Sequence, residues 1–214
     1  MKDRVRVHST LECSEVNGPG KRFVLWTQGC ERDCPGCFNQ DARSMYAGEW
    51  RSVSELGAEI LRAVERFNLD GVTFSGGEPM LQAWALVDLL LWLRVCRPER
   101  PLSFMLFTGE TRNDVLSKIT SAPARWVLWN LFDIVVAGPY VEACRFSSKD
   151  REDLQGLDQY LGSSNQTVHT PTHRFRVGQV LDAPVGSVEV VFDGTTGTFT
   201  GLVPCDCKQL SSQL

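Results

Sequence analysis

The sequence predicts an α/β protein with a mostly parallel sheet. Three observations predict it: short apolar runs of strand length, segments of helical period between them, and glycine or proline turns after the runs. The first run, Arg22 to Gln28 (RFVLWTQ), reads as a strand and stops at Gly29. Ser52 and Glu55 have capping-box spacing. Leu56, Ile60, Val64 and Phe67 then mark one face of a helix. Asp70 to Phe74 (DGVTF) is the second strand, punctuated by Gly76-Gly77. A buried helix follows from about Met80 to Cys96, before Pro98. Ser103 to Phe107 is the third strand, ending at Thr108-Gly109, and Thr111 with Asp114 opens another helix. Asp133 to Ala137 is the fourth strand, ending at Gly138-Pro139.

Parallel sheets bind ligands at the carboxyl ends of their strands. Gly29 with the cysteines after it, Gly76-Gly77, Thr108-Gly109 and Gly138-Pro139 all fall at that edge. The segment from Glu142 to Thr172 is polar and reads as loop with one short helix. Glu189 to Phe192 and Thr198 to Leu202 read as two short strands around Asp193-Gly194, a short C-terminal β extension. The expected organisation is one core domain over residues 1–204 and a mobile tail over 205–214.

A chain of 214 residues suits one domain with a real core. Hydrophobic residues at 43% and charged residues at 22% are ordinary for a soluble globular protein. The net charge of −4 gives no basic surplus, so no nucleic-acid partner is expected. The N-terminus, MKDRVRVHST, lacks the apolar core of a secretory signal. The longest apolar stretch, Ala83 to Val95, is interrupted by Asp88 and Arg94 and is short for a membrane span. The expected compartment is the cytoplasm, with no membrane association.

Eight cysteines in such a chain point to metal or redox chemistry rather than a disulfide scaffold. Cys30, Cys34 and Cys37 fall within eight residues. Thiolates are soft ligands suited to iron–sulfur clusters or zinc. Most [4Fe–4S] clusters take four cysteines, so three on one loop leave one iron open. Structural zinc wants a fourth Cys or His at close spacing, and the nearest histidines are His8 and His169. The spacing therefore favours a cluster over zinc and leaves both readings standing. Cys13, Cys96 and Cys144 are isolated and read as small buried hydrophobes. Cys205 and Cys207 are too few for a second cluster and read as idle or redox-sensitive thiols. Trp84, Trp92, Trp126 and Trp129 lie in apolar segments and read as core.

The Cys-x3-Cys-x2-Cys pattern resembles the signature of radical S-adenosylmethionine enzymes. The wider set of motifs resembles the activating proteins of anaerobic (class III) ribonucleoside-triphosphate reductase. Carrying that resemblance are Asn17-Gly18-Pro19-Gly20-Lys21-Arg22, Gly29-Cys30, and Cys34-Pro35-Gly36-Cys37-Phe38-Asn39. Ser75-Gly76-Gly77-Glu78-Pro79, Asp133 to Val136 with Gly138-Pro139-Tyr140, Gly162-Ser163-Ser164-Asn165-Gln166 and Gly201-Leu202-Val203-Pro204 extend it to about residues 17–204. Two features depart from the family: Ala137 stands where it has an acidic residue, and the Cys205-Asp206-Cys207 tail has no counterpart.

The resemblance implies an incomplete parallel (β/α) barrel of the radical S-adenosylmethionine type. It implies a [4Fe–4S] cluster on Cys30, Cys34 and Cys37, and S-adenosyl-L-methionine as second cofactor. Gly76, Gly77 and Glu78 are then expected at the amino group of S-adenosylmethionine, and Gly36, Cys37 and Phe38 near its adenine. Asn39 is expected to help order the cluster loop. Asn17 to Gly20 reads either as a turn at the mouth of the site or simply as a turn, and Gly162 to Gln166 either as a site-facing loop or as a solvated one. The implied reaction is hydrogen abstraction from a glycine of the reductase's large catalytic subunit, with an electron donor such as flavodoxin or ferredoxin. The alternatives are a radical enzyme on a small molecule, resembling 7-carboxy-7-deazaguanine synthase, a non-catalytic iron–sulfur electron-transfer protein, and, more weakly, a zinc-binding module.

Overall fold

The structure, a computed structural model, describes residues 3–176, 188–192 and 197–201. The chain begins with a long strand, β1 (Arg4–Ser14), that turns back into β2 (Arg22–Thr27) as an antiparallel pair. Sequence reading passed over β1 because charge alternates with its apolar positions: Val5 and Val7 are buried while Arg4 and His8 face outward. A short strand, β3 (Glu49–Ser52), pairs with the free edge of β1.

Helix α1 (Val53–Phe67) follows directly, closed by the expected capping box. The Ser52 hydroxyl accepts from the Glu55 N–H at 3.2 Å and the Glu55 carboxylate accepts from the Ser52 N–H at 2.9 Å. Leu56, Ile60 and Val64 are buried as the helical period predicts, and Phe67 packs at the margin. Strand β4 (Gly71–Gly76) then lies parallel to β2, with Arg22 opposite Gly71 and Thr27 opposite Gly76.

The expected helix after Gly77 starts as a 3-10 turn over Pro79–Gln82 and becomes α2 (Ala83–Cys96). The span Pro79–Cys96 is long and apolar enough to cross a membrane by length and composition. Leu86, Leu89, Leu90 and Leu93 are nonetheless core residues, and α2 packs against α1 on one side. Strand β5 (Ser103–Thr108), helices α3 (Arg112–Ser117) and α4 (Pro123–Leu131), and strand β6 (Ile134–Ala137) complete the parallel block, and α4 covers the other side of α2. Sequence reading did not place α4, whose first turn carries Pro123.

The polar stretch after β6 holds a short helix, α5 (Ser148–Glu152), as expected, and also a three-residue strand, β7 (Thr167–His169). The sheet order is β3-β1-β2-β4-β5-β6-β7, with β2, β4, β5 and β6 parallel and β7 antiparallel to β6. The expected α/β class holds, with the parallel part confined to four strands inside a mixed seven-stranded sheet. The expected β extension is an antiparallel pair, β8 (Val188–Phe192) and β9 (Gly197–Gly201). The tail with Cys205 and Cys207, and Leu202 to Pro204, lie outside the described residues.

Side chains alternate across the sheet. Phe23, Leu25, Val72, Phe74, Phe104 and Leu106 join the core that the helices cover. Met105, Ile134 and Val136 point the other way and pack with Leu157, Tyr160 and Leu161. At the base of that second face Arg22 is wholly buried. Its guanidinium donates to the carbonyls of Pro19, Val72 and Ser103 and to the hydroxyls of Thr73 and Ser103, at 2.7–3.0 Å. Burial without a carboxylate partner lowers its pKa to about 10. The Asn17-to-Arg22 motif is thus partly a structural device, a loop wrapped over its own arginine.

Two expectations are corrected. Trp129 is core and Trp92 and Trp126 pack partly against it, but Trp84 is 42% exposed, because the first turn of α2 turns that position outward. The isolated cysteines are not buried hydrophobes: Cys96 is exposed at the end of α2, and Cys13 and Cys144 are half-buried.

Candidate active site

Thr27 is level with Gly76 and Thr108 with Ala137, so these strands end on common lines. The ladders run on past them: Gly77 N–H donates to the Thr27 carbonyl at 2.8 Å and Gly138 N–H to the Thr108 carbonyl at 3.0 Å. The motif segments thereby border one cavity of about 480 Å³ at the carboxyl edge of the sheet.

The cysteine loop leaves β2 without regular structure and is pinned by its backbone. Gly29 N–H donates to the Ala42 carbonyl at 2.8 Å and Cys30 N–H to the Arg43 carbonyl at 3.0 Å. Cys37 N–H donates to the Cys34 carbonyl at 3.2 Å, and the Asn39 carbonyl accepts from Ala42. Cys30, Cys34 and Cys37 are free, half-buried and all on the cavity wall. Burial pushes the Cys30 thiol up, so iron at that position would have to hold the thiolate.

Among the described residues, no three His, Cys, Asp or Glu side chains gather as they would around a single ion. Tetrahedral zinc draws its sulfurs to about 3.8 Å from one another, given Zn–S bonds of about 2.3 Å. A cubane gives each thiolate its own iron, so three cysteines can line a cavity without converging. The donor set and its placement fit a cluster.

Gly77 is where the second motif meets the first. A Cβ on Gly77 would fall 2.3 Å from the Gly29 carbonyl oxygen, and Glu78 N–H donates to that same oxygen at 2.8 Å. Only glycine lets β4's end approach the cysteine loop so closely. Glu78 also serves as an ordinary N-cap, accepting from the Met80 N–H at 3.0 Å ahead of Pro79.

The Glu78 carboxylate is 4% exposed and lines the cavity. It accepts further from the Thr108 hydroxyl at 2.7 Å and the Gly109 N–H at 2.8 Å. Burial raises its pKa, against the lowering effect of these three donors. A carboxylate has about four lone-pair sites, so one direction stays open beyond the three hydrogen bonds.

The third wall belongs to Gly162 to Gln166. The Gln166 carboxamide accepts from the Gly162 N–H at 2.8 Å and donates to the Gly138 carbonyl at 2.8 Å. Asn165 donates to the Pro139 carbonyl at 2.8 Å. This segment is therefore a brace between the end of β6 and the cavity, with Gly162 and Gln166 on the wall. Asn17 is on the wall too, donating to Ser14 and to Thr200 of β9 at 2.8 Å each.

The structure brings Cys37, Phe38, Gly76, Gly77 and Glu78 onto the cavity but not Gly36. Gly36 has φ +70°, and a Cβ there would fall 2.8 Å from the Glu142 carboxylate, which accounts for the glycine locally. Phe38 stands edge-on to Tyr140, 5.1 Å between ring centres. Ala137 is buried on the helix-covered face and outside the lining. Sequence reasoning missed Arg32, His8, Trp26, Phe107, Tyr140 and Tyr160, all on the wall. For Trp26 and Phe107 the signal was there: both alternate onto the open face of strands already read.

A family model described as "4Fe-4S single cluster domain" matches residues 16–169. The chain belongs to that family. A [4Fe–4S] cluster is accordingly its cofactor. The match runs from the loop before β2 to the end of β7, so it takes in the cysteine loop, Gly77-Glu78 and the Gln166 brace.

Among relatives of this cluster-domain protein, the pyruvate formate-lyase 1-activating enzyme of Escherichia coli (strain K12) is 38% identical over 96 residues. That stretch is 44% of this chain and 38% of the relative, so the chain spans well under half of that enzyme's length. The anaerobic ribonucleoside-triphosphate reductase-activating protein of Salmonella typhi is 29% identical over 168 residues, 77% of this chain and 98% of the relative. The resemblance drawn from the motifs is borne out by these names. A crystal structure of QueE from Escherichia coli overlaps with a TM-score of 0.35 at 18% identity, over 50% of this chain and 54% of that one, too loosely to bear on the fold.

Proposed function

We propose that this protein is a radical S-adenosylmethionine activating enzyme that forms a glycyl radical on anaerobic ribonucleoside-triphosphate reductase. The observation that carries the reading is one cavity walled by the three cysteines, Gly76-Gly77-Glu78 and the Gln166 brace. When bound, a [4Fe–4S] cluster with one iron free of cysteine supplies a seat for the amino and carboxylate groups of S-adenosylmethionine and the electron that opens its carbon–sulfur bond.

The residues divide the remaining work. Cys30, Cys34 and Cys37 hold the cluster. Gly76 and Gly77 bring backbone close to the amino-acid end of S-adenosylmethionine, and Glu78 faces its amino group. Cys37 and Phe38 border the adenine, with Gly36 shaping the turn that presents them. Glu78 stays oriented because Thr108, Met80 and Gly109 hold it, so little reorganisation accompanies binding. The cavity's walls would limit water around the bound S-adenosylmethionine, and the hydrogen abstracted would be that of a glycine of the large catalytic subunit.

The choice of partner is supported by the Salmonella typhi relative, aligned over nearly its whole length. The sheet belongs to an incomplete parallel barrel, residues 1–204 act as one core domain, and the protein works in the cytoplasm with flavodoxin or ferredoxin as electron donor. A second reading, activation of a pyruvate formate-lyase type enzyme, draws on the higher identity of the shorter match.

Anaerobic reconstitution tests the chemistry. The protein is expected to bind about four irons by the ligand logic of a cubane and, once reduced, to release 5′-deoxyadenosine from S-adenosylmethionine. Cys34→Ala is expected to abolish both. Stoichiometric zinc with no cleavage in the wild type would sink the proposal.

A further inference from the structure

Arg32 sits between two of the cluster cysteines, where a charged spacer in a solvated loop is the plain expectation. Its side chain instead lines the cavity beside Cys30, Cys34 and Glu78. The stem lies across the end of β5: a Cβ on Gly109 would fall 2.6 Å from the Arg32 Cδ. The guanidinium rests between two carboxylates, with Nε 3.9 Å from Glu78 Oε2 and Nη2 3.8 Å from Asp114 Oδ2. Both separations exceed a hydrogen bond, so its N–H donors keep the capacity to take a closer anion.

We propose that Arg32 anchors the carboxylate of S-adenosylmethionine, a role that rests on the function proposed above. The argument is the geometry of an α-amino acid. Amino group and carboxylate hang from one carbon, so a ligand whose amino group reaches Glu78 brings its carboxylate alongside. The cation alongside Glu78 is Arg32. The other arginine on this part of the wall, Arg43, is already paired with Asp33. A guanidinium presents a planar fork that matches a carboxylate. Glu78 and Arg32 together therefore offer an acceptor for the amino group and a cationic fork for the carboxylate, side by side, to the amino-acid end of one ligand.

The bland alternative is that Arg32 only ties the cysteine loop to the ends of β4 and β5. Ligand chemistry separates the two roles. Equilibrium dialysis on the anaerobically reconstituted, cluster-loaded protein measures the affinity for S-adenosylmethionine and for its decarboxylated analogue. Arg32→Met is expected to weaken S-adenosylmethionine about tenfold or more while leaving the analogue's affinity unchanged. Arg32→Lys keeps the charge without the fork and is expected to fall between wild type and Arg32→Met. An equal loss for both ligands, or no loss for S-adenosylmethionine, overturns the assignment. Should Arg32→Met fail to hold iron, the same two affinities measured on Arg32→Lys decide it. A cluster-loaded wild type that binds neither ligand would overturn the proposed function itself, an outcome distinct from failure of Arg32's role.

Discussion

At the residue scale, Arg22 shows how a motif can carry structure as well as function. Its five hydrogen bonds all end on neutral oxygens from three segments: the Pro19 loop, β4 and the start of β5. Arg22→Met removes every donor. The Thr73 and Ser103 hydroxyls keep their own bonds to the Asn17 and Asp70 carbonyls, while the Pro19, Val72 and Ser103 carbonyls lose the guanidinium, each costing about 1–3 kcal/mol where left unsatisfied. Some relaxation will recover part of this, so a net loss of about 3 kcal/mol or more is expected in urea unfolding. A loss under about 1 kcal/mol would mean that water replaces the guanidinium easily. Arg32 teaches the complementary lesson. Its role was illegible because an arginine between cysteines looks like a solvated spacer. Only the strand ends, brought level by the sheet, put Glu78, Gly109 and Asp114 around it.

At the scale of elements, the parallel strands and the β8–β9 pair were legible, while β1, β3 and β7, the antiparallel strands of the main sheet, were not. β2, β4 and β5 are buried on both faces and read as unbroken apolar runs. β3 and β7 are short sheet edges with polar residues, the usual form of a protected edge, and such strands give little periodic signal. Helix starts were legible where side chains form the cap, as at Ser52 and Thr111, and α4 was missed where none does. The α3 cap carries a pH prediction. The Thr111 N–H, aided by its hydroxyl and by Arg32, holds the Asp114 carboxyl below the usual carboxylate range. A depressed folded pKa means stabilisation that is complete above the unfolded value of about 3.9 and lost as pH falls through the lower folded value. Asp114 is partly exposed, so the contribution is a few tenths of a kcal/mol, at most about 1. Asp114→Asn is expected to unfold at lower urea than wild type at pH 7, with the gap closing in strong acid. A gap independent of pH would remove the carboxylate from the explanation.

At the scale of the whole molecule, the sheet does one job twice. Its helix-covered face supplies the core, and the carboxyl edge of its open face supplies a cavity where segments distant in sequence meet. The sequence announced that convergence, because each motif followed a strand that could be read. The braces across it were not announced: Gln166 to Gly138 and Asn17 to Thr200 depend on antiparallel pairings that set β7 and β9 in place. The family places a cluster on this chain, and the central claim is that the cavity uses it to put a radical on a protein glycine. Electron paramagnetic resonance tests that most directly. The reduced, cluster-loaded protein is mixed anaerobically with S-adenosylmethionine and the large subunit of an anaerobic ribonucleoside-triphosphate reductase. The account predicts a glycyl doublet on the reductase that depends on S-adenosylmethionine and disappears with Cys34→Ala. Release of 5′-deoxyadenosine with no radical on the reductase would contradict it.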